Sequence, residues 1–532
     1  MALRALLAAA LGALHAASFA GPLAAWWVQL AALGALFALL ERHAPATRFR
    51  IAAAFAFAWF AGGLAWLHTS MHVYGGMPWI LAATAVALFA GYLSLFPALA
   101  VAIASASRWS GGSGPVTGAL SIAACWGGAE ILRGYLLTGF PWLASGYAHV
   151  DGPLAGYAPW VGVYGVSALA ALVAALLAGA IASARSNEAA AATAEVLSAE
   201  LQRRERASIR RSAASALALA AAVLAVGALL ARLEPTVPSG PPVTVRLVQG
   251  NVPQQLKFDP DRALGAMRDY ARFIESGRAA LVVLPETAWT LPWSATPPAI
   301  ADSIVRAAER SGAAVAIGMP LHEAGPPRPN ARRRYTNSVA LIDPRAAAQS
   351  IAARYDKRHL VPFGEFVPTG FAWFVALMNI PLGEFGRGTS DQPPFEVAGQ
   401  RFAFNICYED LFGEELIGAI RGPRGATVLV NVSNIAWFGD SQALPQHLAI
   451  SRMRTLETGR PMLRATNTGV TAAIDHRGRV TARLEHYTAG VLDVTVQGTQ
   501  GLTAYARYGN ALALVLVATM AALTRLGRAR AS

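Results

Sequence analysis

The chain has 532 residues, of which 55% are hydrophobic and only 14% charged, with a mean hydropathy of +0.40. That is too apolar for an ordinary water-soluble protein and points to membrane spans. The net charge of +13 would suit nucleic acid, but the arginines cluster between apolar runs, where membrane topology places them, so a nucleic-acid partner is not expected.

In chain order, apolar runs lie near 5–20, 22–40, 51–68, 79–104, 116–136, 159–183 and 212–231, and another near 508–524. Each approaches the ~20 residues that cross a bilayer as a helix, so about eight spans are expected. The first run is followed by others and is therefore read as an anchor, not a cleaved signal. Arginines mark alternate loops: Arg42, Arg48 and Arg50; Arg108; Arg185, Arg203, Arg204, Arg206, Arg210 and Arg211; and, in the tail, Arg525, Arg528 and Arg530. The loop 69–78 has none. By the positive-inside rule the termini and the Arg-rich loops are cytoplasmic, and the large segment 232–507 lies on the other side. The expected setting is a bacterial inner membrane with a periplasmic domain. The expected division is a transmembrane domain over 1–231, a periplasmic domain over 232–507, and a last span with a cytoplasmic tail over 508–532. The stretch 186–206 is polar and Ala/Glu-rich, and "PTVPSGPPV" (235–243) is a linker.

Only two lysines, Lys257 and Lys357, occur among 44 basic residues. A lysine kept against that bias draws notice, because its compact ammonium has a tunable pKa and a guanidinium does not. Cysteine is equally rare. Cys125 falls inside a span and Cys407 in the exported segment, so a disulfide between them is not expected. A lone thiol in an oxidising compartment is either buried and inert or reactive. "RFAFNICYED" (401–410) reads as a strand that ends at Cys407 and turns into a helix. Such a turn exposes a nucleophile, and the Tyr408 N–H that follows can face an oxyanion. "AALVVLPETAW" (279–289) delivers Glu286 at a strand end, and "ARYDKRHLVPFGEFVP" (353–368) delivers Lys357 and then Glu365. Singly, these are ordinary helix-start carboxylates or surface ion-pair partners. Together, three strand ends supply a carboxylate, an ammonium and a thiol.

Glu, Lys and Cys in that order resemble the nitrilase superfamily, and the membrane flanks narrow the resemblance to the apolipoprotein N-acyltransferase family. "LVQGNVPQQLKFDP" (247–260), "LPETAW", "YDKRHLVPFGEFVP", "ICYED", "NVSNIAWFGD" (431–440) and "GRPMLRATNTGVTAAID" (459–475) look like that family's blocks. So do "GGMPW" (75–79) and "LLTGFPWLASGY" (136–147). Phe258 stands where the family has Trp, and Ile435 stands where "SNDAWFG" is usual.

The resemblance implies an α/β class chain, in which a polytopic helical domain carries a four-layer α-β-β-α sandwich. It implies acyl transfer from a membrane phospholipid, phosphatidylethanolamine being the expected donor, to diacylglyceryl apolipoproteins through a Cys thioester. Glu286 would act as base, Lys357 as oxyanion stabiliser and Cys407 as nucleophile. Glu365 and Glu409 would support them. Phe258, Phe363, Phe366, Trp373, Trp437 and Phe438 are candidates for lipid contact, and Arg133, Trp142 and Tyr147 for a head group. The apolar stretch 366–385 would dip into the outer leaflet. No cofactor and no metal are expected, since no zinc-ligand cluster or Gly-rich phosphate loop stands out. Two rivals remain. One is a membrane-anchored amidase for a small soluble substrate. The other is a transporter or lipid-binding protein with a dead enzyme domain, which should show polar or broken mid-membrane helices.

Overall fold

A computed structural model describes residues 2–41, 43–104, 114–192, 199–257, 259–324, 334–346, 351–375 and 384–529. The chain forms two compact units. One comprises Met1–Ala65, Thr84–Glu234 and Tyr508–Ser532, and the other Trp66–Ala83 and Pro235–Arg507.

The first unit is helical. Among the described residues five helices are long and apolar enough to cross a membrane: Trp79–Ala104, Gly114–Thr138, Pro153–Arg185, Arg206–Leu230 and Ala511–Ala529. Pro45–Gly63 reaches that standard only together with the Trp66–Tyr74 segment that follows it. Ala2–Ala17 and Trp26–Leu39 are apolar but short, at 16 and 14 residues. At a rise of about 1.5 Å per residue, neither alone covers the ~30 Å hydrocarbon layer. Pro22 biases the residue before it away from helix and helps to stop the first run early. Small residues let these helices close up. A Cβ added at Gly12 would lie 2.0 Å from the Phe55 carbonyl oxygen, so that contact admits only glycine.

Among the described residues, an ion pair is buried inside this unit. Glu130 and Arg133, one turn apart on Gly114–Tyr135, are 3% and 2% exposed. Arg133 Nη2 donates to Glu130 Oε2 at 2.7 Å, and Nη1 donates to the carbonyls of Phe140 and Trp142 at 2.5 and 2.9 Å. Glu130 Oε1 accepts the Ser145 N–H at 3.1 Å and its hydroxyl at 2.7 Å. The head-group role expected for Arg133 is thereby overturned, because its guanidinium is buried and tied to its own loop. Trp142 and Tyr147 are buried with it.

The second unit is α/β. Its strands in chain order are β1 (Val237–Pro238), β2 (Val243–Gln249), β3 (Leu281–Val283), β4 (Ala314–His322) and β5 (Tyr335–Ile342). There follow β6 (Ile351–Asp356), β7 (Phe395–Val397), β8 (Gln400–Ile406), β9 (Val428–Ser433) and β10 (Met462–Thr466). The last four are β11 (Ala472–Ile474), β12 (Val480–Arg483), β13 (Gly490–Val496) and β14 (Thr499–Gln500). They build two six-stranded sheets, ordered β13-β2-β3-β4-β5-β6 and β12-β11-β10-β9-β8-β7, and a small β1-β14 ribbon. The centre of each sheet is parallel: β2, β3 and β4 in one, β8, β9 and β10 in the other.

Strand alternation makes the layers. Val243, Val245, Leu247, Leu281, Val283, Val339 and Leu341 of the first sheet meet Phe402, Phe404, Ile406, Val428, Val430 and Val432 of the second. The opposite face of the first sheet (Val248, Val282, Val315, Ile317) is covered by helices Pro260–Glu275 and Pro298–Ser311 through Met267, Tyr270, Ile274 and Ile304. On the far face of the second sheet, Ala403, Leu429 and Met462 pack with Ile420, and Arg464 of β10 is hydrogen-bonded to helix Ala443–Thr458 through His447. The order is helix, sheet, sheet, helix, as expected from the sequence.

Candidate active site

The site lies at the carboxyl ends of the parallel strands, where an open α/β sheet leaves backbone groups uncovered. Lys357 directly follows β6 and Cys407 directly follows β8. Glu286 follows β3 by three residues, Asn434 follows β9, and Asn467 follows β10.

Left-handed backbone makes two of these turns. Cys407 has φ +54° and Thr287, next to Glu286, has φ +46°. Each costs on the order of 1 kcal/mol for a residue with a Cβ, and such strain gathers at functional sites. The Pro285–Thr287 turn lies directly on β4. A Cβ added at Gly318 would sit 2.3 Å from the Pro285 carbonyl oxygen and 2.7 Å from Glu286 Cα, so a glycine is required there.

The polar groups form one network. Lys357 Nζ is 3.0 Å from Glu365 Oε1 and 3.6 Å from Glu286 Oε1. Asn337 Nδ2 donates to both carboxylates, at 2.8 Å to Glu286 and 2.7 Å to Glu365. The Asn434 N–H donates to Glu286 Oε2 at 2.7 Å, which joins the second sheet to the first. The Val361 N–H holds Glu365 Oε2 at 2.8 Å. Glu286, Lys357 and Glu365 are all buried.

Charge follows from this packing. Burial pushes Glu286 up, but Lys357, Asn337 and the Asn434 N–H more than offset it, so its carboxyl sits below the usual range. Burial pulls the Lys357 ammonium down, and Glu365 and Glu286 reverse this, leaving it firmly charged. Burial, then the negative charge of Glu286, pushes the Cys407 thiol up to about 12, against the pull of Lys357. The resting group is therefore a thiol, partly accessible at its turn.

Glu409 is the keystone of the turn. Its Oε2 accepts the Ile406 N–H at 2.7 Å and the Tyr355 hydroxyl at 2.9 Å. Its Oε1 accepts the N–H groups of Arg358 and His359 at 2.6 and 3.1 Å. Burial raises its pKa and these donors oppose the rise. Glu409 thus ties the Cys407 turn to the loop after Lys357. Tyr408 is buried, with its ring 5.2 Å from Phe412.

Both lysines of the chain meet here. Lys257, 3% exposed, donates to the Glu286 carbonyl at 3.2 Å. Burial pulls it down to about 7, against Glu286 and Cys407. Its loop is fastened by Asn467, which pairs with both backbone groups of Val252, and by Gln254, which accepts from Asn434. The lysine bias of the sequence singled Lys257 out but gave it no role. Asn337 carried no signal, because an asparagine inside a strand looks like any other, and Asn434 stood out only as part of the block "NVSNIAWFGD", with no role.

The predicted lipid-contact residues separate. Phe258 and residues 376–383 of the apolar stretch lie outside the described residues. Phe363 and Phe374 pack with Met77 and Ala82. The Phe366 ring carries the Arg387 guanidinium at 5.2 Å. Phe438 packs on Trp66 at 4.3 Å and Trp437 meets Tyr74 at 6.0 Å, so both are engaged with the Trp66–Ala83 segment. Among the described candidates Trp373 is the one displayed, at 63% exposed. Ile435 is buried.

Comparison with known proteins agrees with this architecture. Residues 11–176 match the family model described as the apolipoprotein N-acyltransferase N-terminal domain, and residues 244–505 match that of carbon-nitrogen hydrolase. The apolipoprotein N-acyltransferase of Ralstonia nicotianae is 47% identical, over 99% of this chain and 94% of that one. Its namesake in Bordetella bronchiseptica is 45% identical over 98% and 97%. That of Neisseria meningitidis is 33% identical over 94% and 91%. With a thiol, two carboxylates and an ammonium gathered at the strand ends, and relatives matched over almost their whole length, the chain belongs to the apolipoprotein N-acyltransferase family.

Proposed function

We propose that this chain moves a fatty acyl group from a membrane phospholipid to the α-amino group of an N-terminal diacylglyceryl-cysteine on apolipoproteins, through a thioester on Cys407. The observation that carries this reading is the buried Glu286–Lys357–Glu365 network facing a thiol at a strand-to-helix turn.

In the first half-reaction the Cys407 sulfur attacks the ester carbonyl of the donor while Glu286 takes the thiol proton. A standing thiolate is unnecessary, because proton removal accompanies attack. Lys357 and the Tyr408 N–H stabilise the tetrahedral oxyanion. The C–O bond then breaks, and the proton on Glu286 passes to the departing lysophospholipid hydroxyl. In the second half-reaction the acceptor amine attacks the thioester carbonyl and gives its proton to Glu286. The C–S bond breaks, the sulfur regains the proton, and an amide and the free thiol result. Glu365 holds Lys357 in place throughout, and Glu409 fixes the turn. Phosphatidylethanolamine is the expected donor. The expected setting is a bacterial inner membrane with both termini cytoplasmic and the α/β unit periplasmic, on the strength of the arginine pattern.

Intact mass measurement after incubation with phospholipid vesicles tests this directly. A hydroxylamine-sensitive acyl adduct should form, require Cys407 when compared with Cys407→Ala, and leave when a diacylglyceryl-cysteine peptide is added. Absence of any adduct together with turnover of small amides would replace this reading with a membrane-anchored amidase. Vesicles of single head-group composition decide the donor, and alkaline phosphatase fused to the C-terminus should stay inactive.

A further inference from the structure

A second buried network lies behind the Cys407 turn, away from Glu286 and Lys357. Asn405 and Asn431 are cross-strand partners on β8 and β9. By strand alternation they face away from the intersheet core that Phe404, Ile406, Val430 and Val432 enter. Asn431 Nδ2 donates to Asn405 Oδ1 at 2.7 Å and to the Cys407 carbonyl at 3.2 Å. The same carbonyl lies 3.3 Å from His447 Nε2, on helix Ala443–Thr458.

The protonation of that imidazole follows from its neighbours. Arg464 Nη2 is 3.0 Å from His447 Nδ1. A guanidinium only donates, so Nδ1 accepts and the ring hydrogen sits on Nε2. That N–H serves Asp410 Oδ1 at 2.9 Å and the Cys407 carbonyl. Asp410 is in turn held by Arg464 Nη1 at 3.2 Å and by the Ser451 hydroxyl. All of these side chains are at least nine-tenths buried.

A trans peptide is planar, with its C=O and N–H antiparallel. Fixing the Cys407 carbonyl therefore fixes the direction of the Tyr408 N–H in the same plane. Cys407 has φ +54°, a conformation that its own backbone preferences do not hold. We infer that His447 is a positioning residue for acyl transfer: with Asn431 it anchors the Cys407 carbonyl and so aims the Tyr408 N–H at the oxygen of the tetrahedral intermediate. The inference rests on the acyl chemistry proposed for Cys407. Neither network member reaches the reacting atoms. Asp410, Arg464 and Ser451 set the His447 tautomer and its aim.

The test uses the full chain in detergent and two probes. p-Nitrophenyl butyrate acylates the sulfur through a charged tetrahedral intermediate and releases p-nitrophenolate. Iodoacetamide alkylates the same sulfur by displacement of iodide, with no charge developing on a carbonyl oxygen. His447→Leu should slow acylation by about 10- to 100-fold, leave iodoacetamide alkylation of Cys407 unchanged, and be largely rescued by His447→Gln, whose amide restores a donor. Asn431→Leu, which removes the other donor to the carbonyl, should show the same split and serves if His447→Leu does not fold. Equal loss with both probes, or unchanged acylation, overturns the inference. A wild-type chain inert to p-nitrophenyl butyrate also overturns it. Acylation by p-nitrophenyl butyrate but not by phospholipid removes the lipid-donor reading and leaves the inference to be judged by the variants.

Discussion

Two buried ion-pair sites, one in each unit, have nearly the same components and opposite characters. In the helical unit Glu130 and Arg133 stand one to one, and four further polar contacts complete them: two carbonyls of residues 140 and 142 and the Ser145 N–H and hydroxyl, with the Phe60 ring 5.2 Å from the guanidinium. In the α/β unit one ammonium, Lys357, faces two carboxylates, and an uncharged thiol is added to them. The first arrangement has nothing left to do and fastens a loop. The second leaves its two carboxylates unequally shared, since Glu365 takes the close contact with Lys357 and Glu286 the long one. Stoichiometry and contact length, more than burial, distinguish the two sites.

The comparison can be broken most forcefully at Lys357. Lys357→Met should lower the rate of acyl-adduct formation per folded molecule by about a thousandfold, in addition to the stability lost by leaving Glu286 and Glu365 buried without their cation, as followed by mass spectrometry and thermal unfolding. Arg133→Met should act on stability alone. It leaves Glu130 buried without its partner, a cost of about 3–5 kcal/mol, with the adduct rate of the folded fraction retained. Adding Glu130→Leu to that variant should recover much of the loss, as removal of both charges does elsewhere. If instead Arg133→Met kills the adduct in a stable protein, the contrast drawn between the two sites is wrong.

Gly318→Ala sharpens the contrast by moving Glu286 without touching its chemistry. The new methyl meets the Pro285 carbonyl, and a displacement near 1 Å should reduce the adduct rate by about a hundredfold. The thiol offers a pH test. Because its pKa is raised to about 12, its thiolate fraction, and with it the iodoacetamide rate, should climb about tenfold per pH unit from pH 7 to 10, without the plateau near 9 of an ordinary thiol. The smallest effect belongs to Lys257. Its pKa of about 7 makes it cationic below neutrality and neutral above, and the neutral form leaves Glu286 the stronger base. Acylation should show a step of about threefold near pH 7 that Lys257→Met removes.

Much of this site was legible because short apolar strands ending in Pro-Glu, Asp-Lys and Ile-Cys announce where side chains leave a sheet. The bias against lysine pointed to both ammonium groups before any fold was known. The supporting asparagines were not legible. Asn337 reaches Glu286 and Glu365 from sequence distances of 51 and 28 residues, and nothing local marks such a reach. The Arg133 reading failed for a related reason: hydropathy gives the depth of a residue along a helix but not whether a returning loop closes over it. For Trp437 and Phe438, an aromatic pair after a strand looks the same whether it meets lipid or the rings of Trp66 and Tyr74. The run 366–385 read as membrane-seeking from composition, and its described part does display Trp373 and Phe371.

The Trp66–Ala83 segment has a practical consequence. It is encoded among the apolar helices, yet it completes the α/β unit: Trp66 Nε1 donates to Gln446 at 3.1 Å and its ring covers Phe438. The α/β unit is therefore discontinuous in the gene. A fragment expressed from residue 235 to residue 507 would expose Phe438 and the Phe363–Phe374 cluster to water and should aggregate. Grafting residues 66–83 onto it through a flexible linker is the change most apt to yield a soluble enzyme fragment.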